Sequence, residues 1–292
     1  MVRKKKSGSL ASTDTVISNF AGPYVKWILL VLSLLAVIFP LYWLFINAFK
    51  LEQEYRCYPP VFIPSTWTWD SFVEVFTKNQ LMKNLTNSAI ISVVTTVITI
   101  LIGSMAAYAV QRGPLGRKLK DFFGLWFMVQ KMYPAIATAI PVYLVMRSLK
   151  LIDTLAAMII MNTSFNLPLV IWLMMGFFEQ VPYELEESAM LDGSGFTHRF
   201  FNVILPITKP GLIASAILTF TATWNEFLFA VILSINKAKT LPVVIAGFIT
   251  DRGLAWGPMA ATSLVTLIPV VILTLLVQKD FVKGMAMGAV KG

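Results

Sequence analysis

The stretch VKWILLVLSLLAVIFPLYWLFINAF, residues 25–49, decides the fold class, because Lys26 is its only charged side chain. A transmembrane helix needs about 20 consecutive, predominantly apolar residues, so this stretch predicts a membrane span. It follows the basic run RKKK at residues 3–6, which resembles the start of a signal peptide. The apolar stretch is too long for a signal peptide, so we expect an uncleaved anchor.

Five further apolar runs repeat this pattern along the 292 residues. The chain is 57% hydrophobic and 13% charged, whereas a soluble domain is about 45–50% apolar and about 25% charged. The sequence therefore predicts an all-α integral membrane protein with six transmembrane helices, and it disfavours a disordered chain or a water-soluble globule. The predicted spans are 25–49, 87–109, 122–145, 154–178, 211–235 and 258–277. We expect three regions: a cytoplasmic segment 1–24, a six-span domain 25–278 and a cytoplasmic tail 279–292.

The basic residues predict the orientation of these spans. The net charge is +9, which in a soluble protein would suggest nucleic acid as a partner. In a membrane protein, an excess of Lys and Arg marks the cytoplasmic loops, and Arg117, Lys118 and Lys120 form a dense cluster between the second and third spans. We therefore expect both termini in the cytoplasm and no nucleic-acid partner.

The chain carries little material for catalysis. Cys57 is the only cysteine and His198 the only histidine, which excludes an internal disulfide, a cysteine-based metal site and a multi-histidine metal site. No phosphate-binding loop of the GxxxxGK[ST] type occurs. We therefore expect a subunit that is not an enzyme and binds no cofactor, so that any ATP and Mg²⁺ sites belong to partner proteins.

The longest predicted cytoplasmic loop, 179–210, contains EQVPYELEESAMLDGSGFTHRFFNVILP at residues 179–206. Pro182 suits the start of a helix, and the acidic residues that follow favour its first turns. Gly193 and Gly195 end that helix, and a second helix is predicted over 196–203. This helix–turn–helix is either a solvated connector or a docking element, because Leu185, Ala189 and Met190 give its first helix an apolar strip. The periodicity alone leaves both interpretations open.

The same residues resemble the EAA signature of ABC importer permeases, in which Glu-Ala-Ala is followed at fixed spacing by Gly and then by Ile-x-Leu-Pro. The matching residues are Glu187, Ser188, Ala189, Gly193, Val203, Leu205 and Pro206. Ser188 and Val203 depart from the pattern, and the spacing is intact. The segments WNEF at 224–227 and GAVKG at 288–292 are similar to the carbohydrate-uptake branch, in particular to permeases of the maltose type.

The resemblance implies partners and sites. It implies a heterodimer with a second permease, two ABC ATPase subunits that bind ATP and Mg²⁺, and an external solute-binding protein that delivers a saccharide. It implies a multi-pass protein of a bacterial inner membrane that works by alternating access. The residues expected to contact the ATPase are Leu185, Glu187, Ser188, Ala189, Asp192, Gly193, Phe196, Leu205 and Pro206, and those expected to extend that contact from the tail are Gly288 and Lys291.

Polar residues inside the third and fifth predicted spans indicate a translocation path. A charged side chain within a span is costly, so it is expected to face protein or water rather than lipid. The expected path residues are Gln130, Lys131, Tyr133, Trp224, Asn225 and Glu226. Lys131 lies about 13.5 Å along its helix, close to the middle of the bilayer core. Two interpretations stay open: pairing of Lys131 with a carbonyl or a partner residue, or recognition of an acidic saccharide.

Other classes of transporter fit less well. An ion-coupled secondary transporter often places carboxylates, or helices broken at mid-membrane, where the coupling ion binds. Glu226 and Lys131 are the only ionisable residues deep inside the predicted spans, which is little material for an ion relay. A permease for another class of solute remains an alternative. Co-purification with an ATPase subunit, with transport stopped by inactivating that subunit, distinguishes an ABC permease from an ion-coupled transporter.

Overall fold

The computed structural model describes residues 23–251 and 253–289, and the side chains of 25–251 and 253–278. The described chain is mostly helical, with one two-stranded hairpin. The helices are α1 (Pro23–Phe49), α2 (Asp70–Thr77), α3 (Leu81–Arg112), α4 (Arg117–Met132), α5 (Ala139–Ser148), α6 (Leu155–Glu179), α7 (Tyr183–Leu191), α8 (Phe196–Ile207), α9 (Lys209–Trp224), α10 (Leu228–Leu233), α11 (Leu241–Ala246) and α12 (Trp256–Ala289). The antiparallel strands are β1 (Ile249–Thr250) and β2 (Gly253–Leu254).

Four of the described helices are long and apolar enough to cross a membrane, namely α1, α3, α6 and α12. A fifth candidate combines α8 with α9, which are bent by 81° relative to each other. The prediction of a mostly helical protein with several candidate membrane spans is therefore confirmed. The described helices do not by themselves give six continuous spans.

The third predicted span, 122–145, is divided between α4 and α5. Tyr133 has extended backbone angles, and a short 3₁₀ helix, Ala135–Thr138, follows Pro134. Proline has no N–H to donate and forces the residue before it out of the helical region. The third predicted span is therefore interrupted by a complete break.

The fifth predicted span, 211–235, is divided in the same way between α9 and α10. α9 ends at Trp224, and α10 begins at Leu228. The backbone of Asn225 and Glu226 turns here, so that their amides bond to the carbonyls of Thr221 and Thr223. No proline marks this break in the sequence.

The core is built on close contacts of α3 with α6 and α9. Gly103 of α3 permits a close approach of α3 to α6, because a Cβ placed there would lie 2.7 Å from Cγ1 of Val170. Gly211 of α9 permits a close approach of α9 to α6, because a Cβ placed there would lie 2.4 Å from the Phe177 ring. Small residues bring helices together in this way in membrane proteins, where hydrophobic burial contributes little to helix association. By contrast, the apolar side chains of α1 are largely exposed between Val25 and Leu41.

At the end of the bundle opposite the loop 179–210, one carboxylate organises a turn. Oδ1 of Asp153 accepts hydrogen bonds from the backbone amides of 235–238, at 2.9–3.1 Å. Burial alone raises the pKa of Asp153, but these four donors outweigh it and hold the pKa at about 2. Nearby, the Asn87 side chain donates to the carbonyl of Lys237 at 2.8 Å. The turn after α10 is thereby fixed to the bundle.

Candidate functional site

The predicted helix–turn–helix in the loop 179–210 is present as α7 and α8. Pro182 precedes the first residue of α7, and Glu184 and Glu186 occupy its first turn. At its end Gly193 has φ +83°, a left-handed conformation that L side chains rarely adopt. The amide of Ser194 bonds to the carbonyl of Ala189 at 2.9 Å, and the amide of Gly193 bonds to that of Met190 at 3.0 Å. This pair of bonds is a Schellman ending, which stops α7 and directs the chain into α8.

One face of α7 and the turn that follows it are exposed, because none of the described residues packs over them. Leu185 is 45% exposed, Leu191 is 90% exposed and Phe196 is 52% exposed. The side chains of Glu187, Ser188 and Asp192 are also exposed, and Ala189 is half-buried. Leu205 is half-buried and packs against the core next to Ile204, whereas Pro206 is exposed. The structure thus gathers most of the predicted contact residues on one open surface.

The sequence reasoning missed Glu186, which is buried beside the exposed Glu187. Its carboxylate accepts a hydrogen bond from Tyr108 of α3 and lies 3.8 Å from Nε of Arg112. It also lies 3.7 Å from Nε of Arg199 in α8. No signal in the sequence identifies which of the three acidic residues in this helix turns inward. The ion pairs join α3, α7 and α8 at one point.

The predicted path residues of the third span lie at the break between α4 and α5. Gln130, Lys131 and Tyr133 are exposed in the single chain and line a cavity of about 510 Å³ against α6. Nζ of Lys131 donates to the carbonyl of Phe165 at 3.3 Å and to Oδ1 of Asn166 at 3.5 Å. The structure therefore contains the arrangement of the first interpretation, in which Lys131 pairs with a carbonyl.

Asn166, a residue that the sequence analysis did not single out, connects the two halves of the predicted path. It is buried in α6, and its side-chain amide donates to Oγ1 of Thr223 in α9 at 3.3 Å. Lys131 of α4 is thereby joined through α6 to the end of α9. Lys131 and Glu226 do not bond to each other.

The three predicted path residues of the fifth span have different environments. Asn225 is exposed. Glu226 caps α10, because its carboxylate accepts hydrogen bonds from the amides of Phe229 at 2.7 Å and Ala230 at 3.0 Å. Trp224 is 2% exposed, stacks on Phe220 and donates to the carbonyl of Thr266 at 3.2 Å. Its ring is packed against its neighbours and does not line the cavity beside α4 and α6.

The last helix continues into the tail. Glycine is a poor helix former, yet α12 runs through Gly288 to Ala289. Each glycine costs about 1 kcal/mol relative to alanine, but a helix that is already formed extends without the cost of nucleation. Alanine and methionine, which are strong helix formers, alternate with the glycines here. Lys291 lies outside the described residues.

The family described as "Binding-protein-dependent transport system inner membrane component" matches residues 99–279. The trehalose/maltose transport system permease protein MalG of Thermococcus litoralis is 35% identical over 277 residues, which are 92% of this chain and 98% of that protein. The trehalose transport system permease protein SugB of Mycobacterium tuberculosis is 35% identical over 257 residues, which are 87% and 92% of the two chains.

A solved structure shares the fold. A chain of a bacterial ABC transporter involved in the import of the acidic polysaccharide alginate superposes with a TM-score of 0.76 at 22% identity, covering 93% of this chain and 98% of that chain. Fold and relatives together define a multi-pass transport permease of the inner membrane. The chain belongs to the family of binding-protein-dependent transport system inner membrane components. The resemblance to carbohydrate ABC-transporter permeases is thereby confirmed.

Proposed function

We propose that this chain is one of two permease subunits in an ATP-driven importer that takes a saccharide from an external solute-binding protein. The single observation that carries the proposal is the open surface of α7 and its turn, on a chain whose relatives serve trehalose and maltose transport. In this proposal α4 with α5 and α9 with α10 complete six spans. Both termini and the loop 179–210 then face the cytoplasm.

The ATPase subunit docks on the open surface of α7. Leu185 and Phe196 supply apolar contacts at the two ends of this surface, because both are about half exposed. The carboxylate of Glu187 pairs with a basic group of the ATPase, since it forms no ion pair with any described residue. The remaining contacts come from Ser188, Ala189, Asp192, Gly193, Leu205 and Pro206. ATP and Mg²⁺ bind to the ATPase subunits, which hydrolyse the nucleotide.

The saccharide passes the break between α4 and α5. The cavity beside α6 combines rings at Trp126, Tyr133 and Phe165 with hydrogen-bonding groups at Gln130 and Lys131. Broken helices of this kind line the substrate sites of many transporters, because irregular backbone is tolerated at membrane depth only in protein or beside water. Asn225 contributes a further polar group, and Glu226 holds the adjacent break in place. The partner permease closes the other side of the path.

The tail extends the ATPase contact. In this proposal residues 279–292, including Gly288 and Lys291, insert between the ATPase subunits. The support is the resemblance of GAVKG at 288–292 to permeases of the maltose type.

Co-expression with the ATPase subunit tests the proposal. The two proteins should co-purify, and inactivating the ATPase should stop uptake of the solute. Uptake that persists with an inactive ATPase, and that depends on a proton or sodium gradient, would show a secondary transporter instead.

A further inference from the structure

A buried ionic cluster links α3, α7 and α8 at the base of the proposed docking surface. Glu186 of α7 faces Arg112 of α3 and Arg199 of α8, with nitrogen–oxygen distances of 3.8 and 3.7 Å. Tyr108 donates its hydroxyl to the same carboxylate. The side chains of Arg112, Glu186 and Arg199 are 3%, 8% and 16% exposed. The cluster therefore belongs to the interior, although it lies directly under an exposed helix.

Arg112 extends the cluster to the end of α6. Its guanidinium donates to the carbonyl of Val181 at 2.5 Å and to that of Phe178, the last buried residue of α6. It also lies 4.0 Å from the centre of the Tyr183 ring, at the first residue of α7. A single side chain at the end of α3 thus contacts the end of one helix and the beginning of the next.

The geometry argues for a role beyond fold stability. Buried ion clusters are often replaced by apolar residues without loss of stability, because the cost of removing charges from water offsets their attraction. Both ion-pair distances exceed those of charge-assisted hydrogen bonds, which are about 2.7–2.9 Å. Within the described residues, Nε of Arg112, Nε of Arg199 and Oε2 of Glu186 have no hydrogen-bond partner. What the cluster does secure is the position of α7 relative to α3.

We propose that Glu186 is the positioning residue through which a displacement of α7 is transmitted to α3. This inference rests on the proposed function, in which α7 docks on the ATPase. An ATPase that pushes the exposed face of α7 acts on a helix whose opposite side is hydrogen-bonded to Tyr108 and ion-paired with Arg112. The two helices therefore move as one body, and the movement reaches the membrane core.

The test measures whether α7 and α3 stay together. In a Cys57→Ser background, the substitutions Glu184→Cys in α7 and Met105→Cys in α3 provide two sites for spin labels. Both positions are exposed. The distance between the labels is measured by pulsed electron paramagnetic resonance in the complex with its ATPase, without nucleotide and with ATP and Mg²⁺. Glu186→Gln removes the charge and keeps the shape. Glu179→Gln, an exposed acid at the end of α6, is the matched control.

The wild-type complex and the Glu179→Gln control should show the same distance in both nucleotide states. Glu186→Gln should shift or broaden it by about 2 Å or more on ATP binding, the scale of helix shifts at interfaces, while ATP hydrolysis continues. An unchanged distance in Glu186→Gln would overturn the inference. If the wild-type chain fails to co-purify with the ATPase, the proposed function itself fails, and the inference falls with it.

A second variant is used in case Glu186→Gln does not assemble with the ATPase. Tyr108→Phe removes one hydrogen bond to Glu186 and keeps the ring that packs on Phe178 and Phe200. It should show the same nucleotide-dependent shift to a smaller extent. A wild-type distance in Tyr108→Phe, together with an unassembled Glu186→Gln, would mean that the cluster serves folding alone.

Discussion

The turn after α7 can be tested with one pair of glycine substitutions. Gly193 has φ +83°, and a Cβ built on it meets no heavy atom within 4 Å. A substitution there is therefore not opposed by crowding, and its cost is entirely that of the backbone conformation. L residues pay roughly 1–2 kcal/mol to enter the left-handed region, and β-branched side chains resist it most.

This cost translates into a large change in the population of the turn. A penalty of 1–2 kcal/mol corresponds to a factor of about 5 to 30. Gly193→Val should therefore favour, by that factor, conformations that lack the bonds from Ser194 to Ala189 and from Gly193 to Met190. Without them α8 leaves α7 in a different direction, and Phe196 no longer completes the docking surface. We expect an uncoupled or disassembled complex.

Gly195→Val is the matched control. Gly195 also has open space around its Cβ, but its φ of −71° and ψ of 169° are extended angles that valine adopts readily. The assay compares the ATPase that co-purifies with each variant, and the uptake per assembled complex. Gly195→Val should behave as wild type, and Gly193→Ala should fall between wild type and Gly193→Val. Normal assembly and transport by Gly193→Val would refute the docking role of this turn.

Three further predictions concern other parts of the chain. Lys131→Met should lower uptake by at least about tenfold, since hydrogen bonds to charged groups are worth about 1.5–3 kcal/mol. Assembly and basal ATP hydrolysis should persist in this variant, and wild-type uptake would show that Lys131 does not line the path. Deletion of residues 285–292 should lower transport-coupled ATP hydrolysis, and unchanged hydrolysis and uptake would show that the tail makes no functional contact. Asp153→Asn should lower the free energy of unfolding of the purified protein by about 1–2 kcal/mol. Each unit by which folding lowers the pKa of Asp153 is worth about 1.4 kcal/mol, and partial exposure of the side chain reduces that amount by screening. Because the folded-state pKa is depressed from 3.8 to about 2, this difference in thermal stability should be complete above about pH 5 and should shrink as the pH falls toward 2. A difference that stays constant down to that pH would mean that the carboxylate charge is not what fixes the turn.

Local rules were sufficient to predict much of this chain from its sequence. The apolar runs predicted the membrane helices α1, α3, α6 and α12, because hydropathy over about 20 residues depends on composition alone. Pro182 and Gly193 predicted both ends of α7, because each acts through its own backbone. Proline and glycine restrict or release φ wherever they occur, so no knowledge of the tertiary contacts was needed.

Features that depend on tertiary contacts could not be predicted in this way. Glu186 and Glu187 are adjacent acids, and only packing against α3 decides that the first is buried. Trp224 lies beside two polar residues in the sequence, yet its ring fills the core against Phe220. Likewise, the break after α9 is stabilised by the carboxylate of Glu226, and no proline in the sequence indicates it.

The polar contacts of α3 suggest why a single helix is suited to joining the two ends of the molecule. At one end, Tyr108 and Arg112 hold the cluster beneath α7. At the other end, Asn87 donates to the carbonyls of Lys237 and Lys239 at 2.8 and 3.0 Å, in the turn that Asp153 organises. At 1.5 Å per residue, Asn87 and Tyr108 are about 30 Å apart along the helix, which matches the thickness of the hydrocarbon core. In the proposed orientation a displacement of α7 by the ATPase therefore reaches the external face through one continuous helix, without passing the breaks in the third and fifth spans.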